Sequence, residues 1–435
     1  MEIAIPKRLK TSIYTPPGPI AKMVTSIHVP SIDRISAFVA SCRHLLSYDI
    51  FPSFIPLLYL FCAGSLFFDV VHHMLHRCKK SSHPIFQHLA RVHRYHHLYF
   101  TRHMQFDKKY LRQNQFQALP LELALQIIGT ILGYVFSALV TPSALIWIKP
   151  THLWYIIGIQ VTRTAFVIIT SGRDSNHLVY QIAPKDSNWM FVGPEFHSLH
   201  HVYPDRYIGS FIKVLDWICG TAYSFRGKRF VITGAKGGFG QAIVAELERE
   251  GVNSIHKLDF GSDWDHNNFE NAVPLLSNSD VLILAHSLED QDKVELNCKS
   301  AIRLVKLFKK HKITNHAGPT LPEVWYIDNE KGVHLSWGDR QIPPFSQPQR
   351  EFLPHARSFY DDPDMLYRHI VPSSFCSIMK PGVQSTAVQD ATCAMWWIRR
   401  GARYVSGPCI GAAGLNYFRF RFSRPYAQDD GEVPK

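Results

Sequence analysis

Apolar positions follow two different regimes along this chain. In the first, three long unbroken runs cover residues 51–71, 119–140 and 153–170. The first carries no charge before Asp69, the second is interrupted only by Glu122, and the third only by Arg163. Each is close to the ~20 residues a helix needs to cross bilayer hydrocarbon. Three such runs in so short a stretch are hard to bury in a soluble fold, so the pattern predicts an α-helical membrane region. A shorter segment, residues 35–46, contains Arg43 and His44 and is expected to lie in the interface or to pair with the first span.

The second regime begins after Tyr223-Ser224-Phe225-Arg226-Gly227-Lys228. Short apolar runs at 229–232, 256–260 and 280–285 alternate with amphipathic stretches, the first of them at 241–250. Strands that alternate with helices predict a parallel α/β layer. The expected organisation is therefore a helical membrane domain over residues 1–225 and an α/β Rossmann-type domain over 226–435. With so short a join, the second domain is expected to dock close to the first.

Charge sharpens this division. Residues 1–210 hold 20 Lys and Arg against 10 Asp and Glu, whereas residues 211–435 are nearly balanced at 27 against 25. Basic residues set between apolar runs fit loops facing anionic lipid. Nucleic acid is not an expected partner, because the charge forms no continuous polar face. The eight cysteines include no Cys-x-x-Cys pair, which argues against a disulfide framework or a thiolate zinc site and fits a reducing compartment. The segment after Met1 has no apolar stretch behind its charges, so no cleavable signal peptide is expected.

Histidine is the candidate chemistry. His72-x-x-x-His76 follows the first run, His93-x-x-His96-His97 comes soon after, and His197-x-x-His200-His201 follows the third. Spacings of three and four place each group on one helical face. Neutral imidazole is a metal ligand, and eight rings exceed the needs of a single ion. Two crossings separate the early groups from the last one, so all emerge on one membrane face. Imidazole without thiolate suits iron, zinc or copper, and oxygen chemistry favours iron. His83, His88, His103 and His152 lack such spacing and read as ordinary packing residues.

These three groups resemble the histidine boxes of the membrane fatty acid hydroxylase superfamily, which includes sterol desaturases, sterol methyl oxidases and plant wax-forming proteins. The stretch from Phe196 to Pro204, followed by Leu215-Asp216-Trp217-Ile218-Cys219-Gly220-Thr221, is similar to that family's final box and its trailing segment. The resemblance covers roughly residues 50–225. It implies two Fe ions held by His72, His76, His93, His96, His97, His197, His200 and His201. It also implies a lipid substrate, O2, and an external electron donor of the cytochrome b5 or ferredoxin type. Members offer a further imidazole between the boxes, and His177 is the candidate, although Gln181 stands where a second histidine would follow it. Asp69, Asp174 and Glu195 flank the boxes and could orient imidazole N–H groups.

In the second half, the strand at 229–232 runs into Thr233-Gly234-Ala235-Lys236-Gly237-Gly238-Phe239-Gly240 and then a helix. This strand, glycine turn and helix order is what a dinucleotide pyrophosphate needs. Thr233, Gly234, Gly237 and Gly240 are the expected contacts for NAD(P)(H), with Asp259 placed to grip the ribose. The pattern resembles the short-chain dehydrogenase/reductase family, with Leu284-Ala285-His286-Ser287 and Asn297 at positions where that family has functional turns and helices. No Tyr is followed four residues later by Lys, so the family's proton-transfer pair is missing. Tyr326, Tyr360 and Lys331 are the possible substitutes. The combined layout resembles bifunctional sterol desaturase/short-chain dehydrogenase proteins.

The expectation is an integral membrane diiron oxidoreductase that hydroxylates or desaturates a lipid. Its metal site and Rossmann-type domain would face the cytosol, at the endoplasmic reticulum if the source is eukaryotic. A zinc-binding or scaffold protein without turnover, and a membrane-anchored reductase, are the competing readings. The tail at 416–422 alternates aromatic and cationic residues and is expected to form an edge strand, an interfacial segment, or a C-terminal strand half packed on its own domain.

Overall fold

The computed structural model describes residues 50–78, 81–140, 148–172, 174–286, 294–314, 318–328, 347–372, 383–406, 417–418, 420–423 and 425. The segment at 35–46, Ser287 and Lys331 lie outside them. Contacts divide the chain into Met1–Ile55 and Pro56–Lys435. Of the first unit only residues 50–55 are described.

Helices α1 (Ile50–Arg77), α2 (Pro84–Tyr99), α3 (Leu119–Val140) and α4 (Pro150–Ile169) build the first part of the chain. Three helical stretches, Phe54–Arg77, Lys108–Val140 and Pro150–Ile169, are long and apolar enough to cross a membrane. Small residues let them approach closely, as expected where no hydrophobic effect drives helices together. An added Cβ at Gly129 would stand 3.0 Å from Gly64 Cα and 2.5 Å from Phe67 Cβ, and one at Gly133 would stand 2.5 Å from Ala63 Cβ. α1 and α3 therefore run antiparallel, in near contact. Across the seam Tyr59 donates to the Gly133 carbonyl (3.0 Å), and Gln160 of α4 donates to Thr130 Oγ1 (2.8 Å).

Two short helices follow, α5 (Pro194–Val202) and α6 (Val214–Cys219). The sheet then begins. Strands β1 (Arg229–Thr233), β2 (Ser254–Leu258), β3 (Val281–Leu284), β4 (Glu323–Ile327), β5 (Leu366–Val371) and β6 (Tyr404–Ser406) form one sheet in the order β2-β1-β3-β4-β5-β6. All neighbours are parallel. The order reverses between β1 and β3, the switch point of a doubly wound Rossmann-type sheet. β2 starts two residues earlier than the pattern at 256–260 indicated.

Both faces of the sheet are covered, which is why its central strands read as continuous apolar runs. Phe230, Ile232, Val281 and Ile283 meet α7 (Gly238–Arg249) and α11 (Val383–Arg399) through Ile243, Leu247, Ala391 and Met395. Val231, Leu282 and Leu284 meet α8 (Ala272–Asn278), α9 (Val294–Thr314) and α10 (Gln347–Asp361) through Leu276, Val305, Phe308 and Phe352.

The join between the two parts is fastened by Glu323. Its carboxylate accepts from Tyr223 Oη (2.7 Å), Lys228 Nζ (3.0 Å) and Trp325 Nε1 (2.7 Å), and pairs with Arg368. A buried charge is tolerated only when it is paired and hydrogen-bonded in this way.

The tail differs from expectation. Its described residues are helical rather than extended. Phe420 is buried and its ring lies 4.8 Å from that of His369, while Phe418 and Phe422 are exposed. Alternation along the sequence placed Phe418, Phe420 and Phe422 on one face, but the helical turn inserts only Phe420 into the core.

Candidate metal centre

Because α1 continues past its apolar run to Arg77, His72 and His76 project one turn apart from its end. α2 carries His93, His96 and His97, and α5 carries His197, His200 and His201. His177 comes from the loop between α4 and α5. The structure brings all nine together in two sets. His72, His76, His93, His97 and His200 form one, and His96, His177, His197 and His201 form the other, with the ligand atoms in each within 4.8 Å of one another.

The division crosses the sequence boxes. His93 and His97 join the first set while His96 joins the second; His197 and His201 join the second while His200 joins the first. Helix geometry explains this exchange. At 3.6 residues per turn, positions i and i+4 diverge by ~40°, but i+3 falls ~60° to the other side. Each three-histidine helix thus presents a pair to one set and a single ring to the other.

Within the first set, His76 Nε2 lies 3.0 Å from His72 Nε2, 3.0 Å from His93 Nε2 and 3.2 Å from His97 Nε2. Within the second, His177 Nε2 lies 3.3 Å from His96 Nε2 and 3.1 Å from His197 Nε2. Nitrogens ~2.1 Å from a metal and at right angles to each other stand ~3.0 Å apart, so these spacings fit a shared ion in each set. The Nδ1 atoms support the same assignment. His200 donates from Nδ1 to the Arg206 carbonyl (2.8 Å), His201 to the Phe100 carbonyl (3.0 Å), His72 to the Ile208 carbonyl (3.3 Å) and His177 to Asp174 (2.7 Å). A carbonyl or carboxylate can only accept, so these rings carry the proton on Nδ1 and turn the Nε2 lone pair inward. His201 Nε2 is buried with no hydrogen-bond partner. Burial, together with the neighbouring imidazoles, pushes His96, His97, His197 and His201 well below the usual histidine range, which keeps them neutral.

Of the three flanking carboxylates expected to orient imidazoles, Asp174 does so. Burial, the largest single effect, would raise its pKa, but His177, the Asn176 N–H and Arg163 together outweigh it and hold it below the usual range. Asp69 does not contact a ring; it accepts from the Ser210 backbone N–H (2.9 Å). Glu195 lies in the first turn of α5. The carboxylate that the sequence reading passed over is Glu122 of α3, whose Oε1 is 3.5 Å from His96 Nδ1 and 4.0 Å from His93 Nδ1. A charged residue inside an apolar span is costly and marks function more often than not, and this signal was already in the sequence.

A cavity of about 70 Å³ opens onto the histidines, lined by Phe68, Leu119, Glu122, Gln126, Arg163 and Asp174 among others. A larger one, about 1350 Å³, is bordered by the opposite side of α5 at Phe196 and Leu199 and by the amino ends of β4 and β5. The histidines with no regular spacing join neither set: His152 accepts from Lys149 N–H at the start of α4, and His103 Nδ1 meets the Gln181 carbonyl.

At the sheet switch point, Gly234 has φ +68°, and an added Cβ would lie 2.4 Å from the Ala285 carbonyl oxygen. At Gly240 a Cβ would lie 2.2 Å from the Gly234 carbonyl oxygen. The turn is therefore packed tightly against the start of α7, which begins at Gly238, next to Gly237. Thr233 Oγ1 lies 2.7 Å from His286 Nδ1, and burial pushes His286 down to about 4. Asp259 follows β2 and pairs with Lys236 (2.9 Å). Of the tyrosines considered as proton donors, Tyr326 stacks on Phe352 at 4.0 Å inside the core, and Tyr360 lies under Arg403 beside the large cavity.

No family model matches the chain. A monoglucosyldiacylglycerol epimerase from Synechocystis sp. is 31% identical over 172 residues, covering 34% of this chain and 42% of that protein, so the chain spans less than half the length of this relative. A short-chain dehydrogenase from Burkholderia cenocepacia, solved with NADP, covers 46% of this chain and 95% of its own at 11% identity and TM-score 0.36. A bulky-bulky ketone specific alcohol dehydrogenase from Comamonas testosteroni covers 44% and 90% at 12% identity and TM-score 0.35. The parallel sheet has the Rossmann-type order, and the apolar helices and histidine sets are compatible with a membrane domain that carries a histidine-box site.

Proposed function

We propose that this protein is a membrane-bound dimetal oxidoreductase that uses O2 to hydroxylate or desaturate a lipid, with an appended domain that binds NAD(P)(H). The observation that carries this reading is the pair of buried histidine sets beside apolar helices. A bound pair of iron ions would supply activation of O2 and removal of hydrogen from a C–H bond, with electrons from an external donor. The chain's own residues supply the rest. Nine imidazoles offer ring nitrogens, and backbone carbonyls and Asp174 fix the tautomers of His72, His177, His200 and His201. The small cavity beside Phe68 and Leu123 opens onto the histidines and gives the reacting group of a substrate a place beside them.

The similarity to a glycolipid epimerase favours one refinement, a substrate of the glycosyl-diacylglycerol class. On this reading the Rossmann-type domain carries out oxidation and reduction at a sugar carbon, with a proton carrier other than the missing Tyr-x-x-x-Lys pair.

Lipid profiling of a host expressing the chain, beside a His197→Ala control, tests the proposal together with iron analysis. The expected result is about two iron ions per chain, a new oxidised or unsaturated lipid, and loss of both in His93→Ala or His200→Ala. Unchanged lipids with full iron in those variants would overturn it. A change confined to glycolipid headgroups, insensitive to His197→Ala, would instead place the activity in the Rossmann-type domain.

A further inference from the structure

We propose that Glu122 is a positioning residue shared by both histidine sets, coupling them so that neither binds metal normally without it. The inference rests on the dimetal reading. α3 is otherwise apolar around this residue, and its carboxylate reaches His93 of the first set and His96 of the second through one oxygen, at 4.0 and 3.5 Å. Both approaches are to Nδ1, the nitrogen opposite the one that faces the set; they are ion-pair distances rather than hydrogen bonds, and the buried His96 Nδ1 has no hydrogen-bond partner.

The other partners of Nδ1 behave differently. Ile208, Arg206 and Phe100 offer backbone carbonyls, and each serves a single ring. Asp174 serves only His177, in the second set. Glu122 is the carboxylate that touches both sets among the described residues. It does so because His93 and His96 are three apart on α2, so their rings belong to different sets while their Nδ1 edges both face Glu122.

A carboxylate opposite a coordinating nitrogen orients the ring and raises its basicity, and losing such a partner typically weakens metal affinity by ~10–100-fold. Glu122 should exert this effect on both sets at once, whereas Asp174 should exert it on one.

The test is a Co(II) titration of the purified full chain in detergent, followed by visible absorption, on the parent protein and on Glu122→Gln, Glu122→Ala and Asp174→Ala. Two equivalents should bind to the parent. Glu122→Ala should weaken both steps by ~10–100-fold and alter both sets of absorption bands, Glu122→Gln should recover part of that loss, and Asp174→Ala should weaken one step. Loss of a single step in Glu122→Ala, or parent-like binding, overturns the inference. If Glu122→Ala fails to fold, Glu122→Gln decides: parent-like affinity in either step overturns it. Failure of the parent itself to take up metal would overturn the dimetal reading instead, which keeps the two outcomes apart.

Discussion

Asp216 grips Gly209: its Oδ2 accepts the Gly209 backbone N–H at 2.7 Å, while Oδ1 accepts the Ile208 N–H at 2.8 Å and the Thr221 hydroxyl. The segment it holds supplies carbonyls to His72 and His200, and Asp69 fixes the next residue, Ser210. A Cβ on Gly209 would lie 2.8 Å from the Ile212 carbonyl oxygen, so the loop has no slack. Asp216→Ala should leave two buried N–H groups unsatisfied and lower stability by ~1–3 kcal/mol each. The first histidine set should lose metal affinity by at least ~10-fold, with the second less affected. Thermal unfolding in detergent and metal titration would register both effects; a variant with unchanged affinity would show that the loop holds itself.

The helix seam gives a second prediction. Gly129→Leu must displace Phe67 and the backbone at Gly64, which overpacking data place at ~1–3 kcal/mol or more. Gly158→Ala, where an added Cβ meets nothing within 4 Å, should be nearly silent. Comparing the unfolding temperatures of the two variants checks the claim, and equal values would contradict it.

Glu323 predicts a pH dependence. Burial would raise its pKa, but Lys228 and Arg368 outweigh this and hold it at about 2, against an ordinary value of 4.5. A depressed folded-state pKa contributes stability above the unfolded value, and that contribution is lost as pH falls from about 4.5 toward 2. The shift corresponds to on the order of 3 kcal/mol. Glu323→Gln should lower stability at pH 7 and flatten the acid limb of the unfolding profile. An acid limb of unchanged steepness in the variant would rule out this carboxylate as its source.

At the nucleotide turn, Gly234→Ala should abolish NAD(P)H binding measured by fluorescence, because both its positive φ and the Ala285 carbonyl exclude a side chain. Retained binding would mean that the nucleotide does not use this turn.

The sequence made the two-part architecture legible because each part has its own apolar period. The histidine sets were legible as ligands but not as a partition: spacing put His93, His96 and His97 on one broad face, and the ~100° between the i+3 and i+4 positions becomes a division only once α1 and α5 supply the rest of each set. His177 could be named only from the family resemblance, since it stands on a loop without periodicity. Glu122 was visible as an interruption in an apolar run, yet its targets lie in another helix. The tail was misread because alternation over seven residues satisfies a strand pattern while burying only one ring in a helix.

The Gly64–Gly129 contact has a consequence for chain length. His72 lies eight residues beyond Gly64 on α1, and Glu122 lies seven residues before Gly129 on the antiparallel α3. At ~1.5 Å per residue these distances are ~12 and ~10.5 Å, so ligand and carboxylate arrive at nearly the same height from a common mark. One residue inserted between Gly64 and His72 would raise the histidine by ~1.5 Å and swing it by ~100°. The two half-helices can therefore lengthen or shorten only by compensating steps, like the two scales of a vernier.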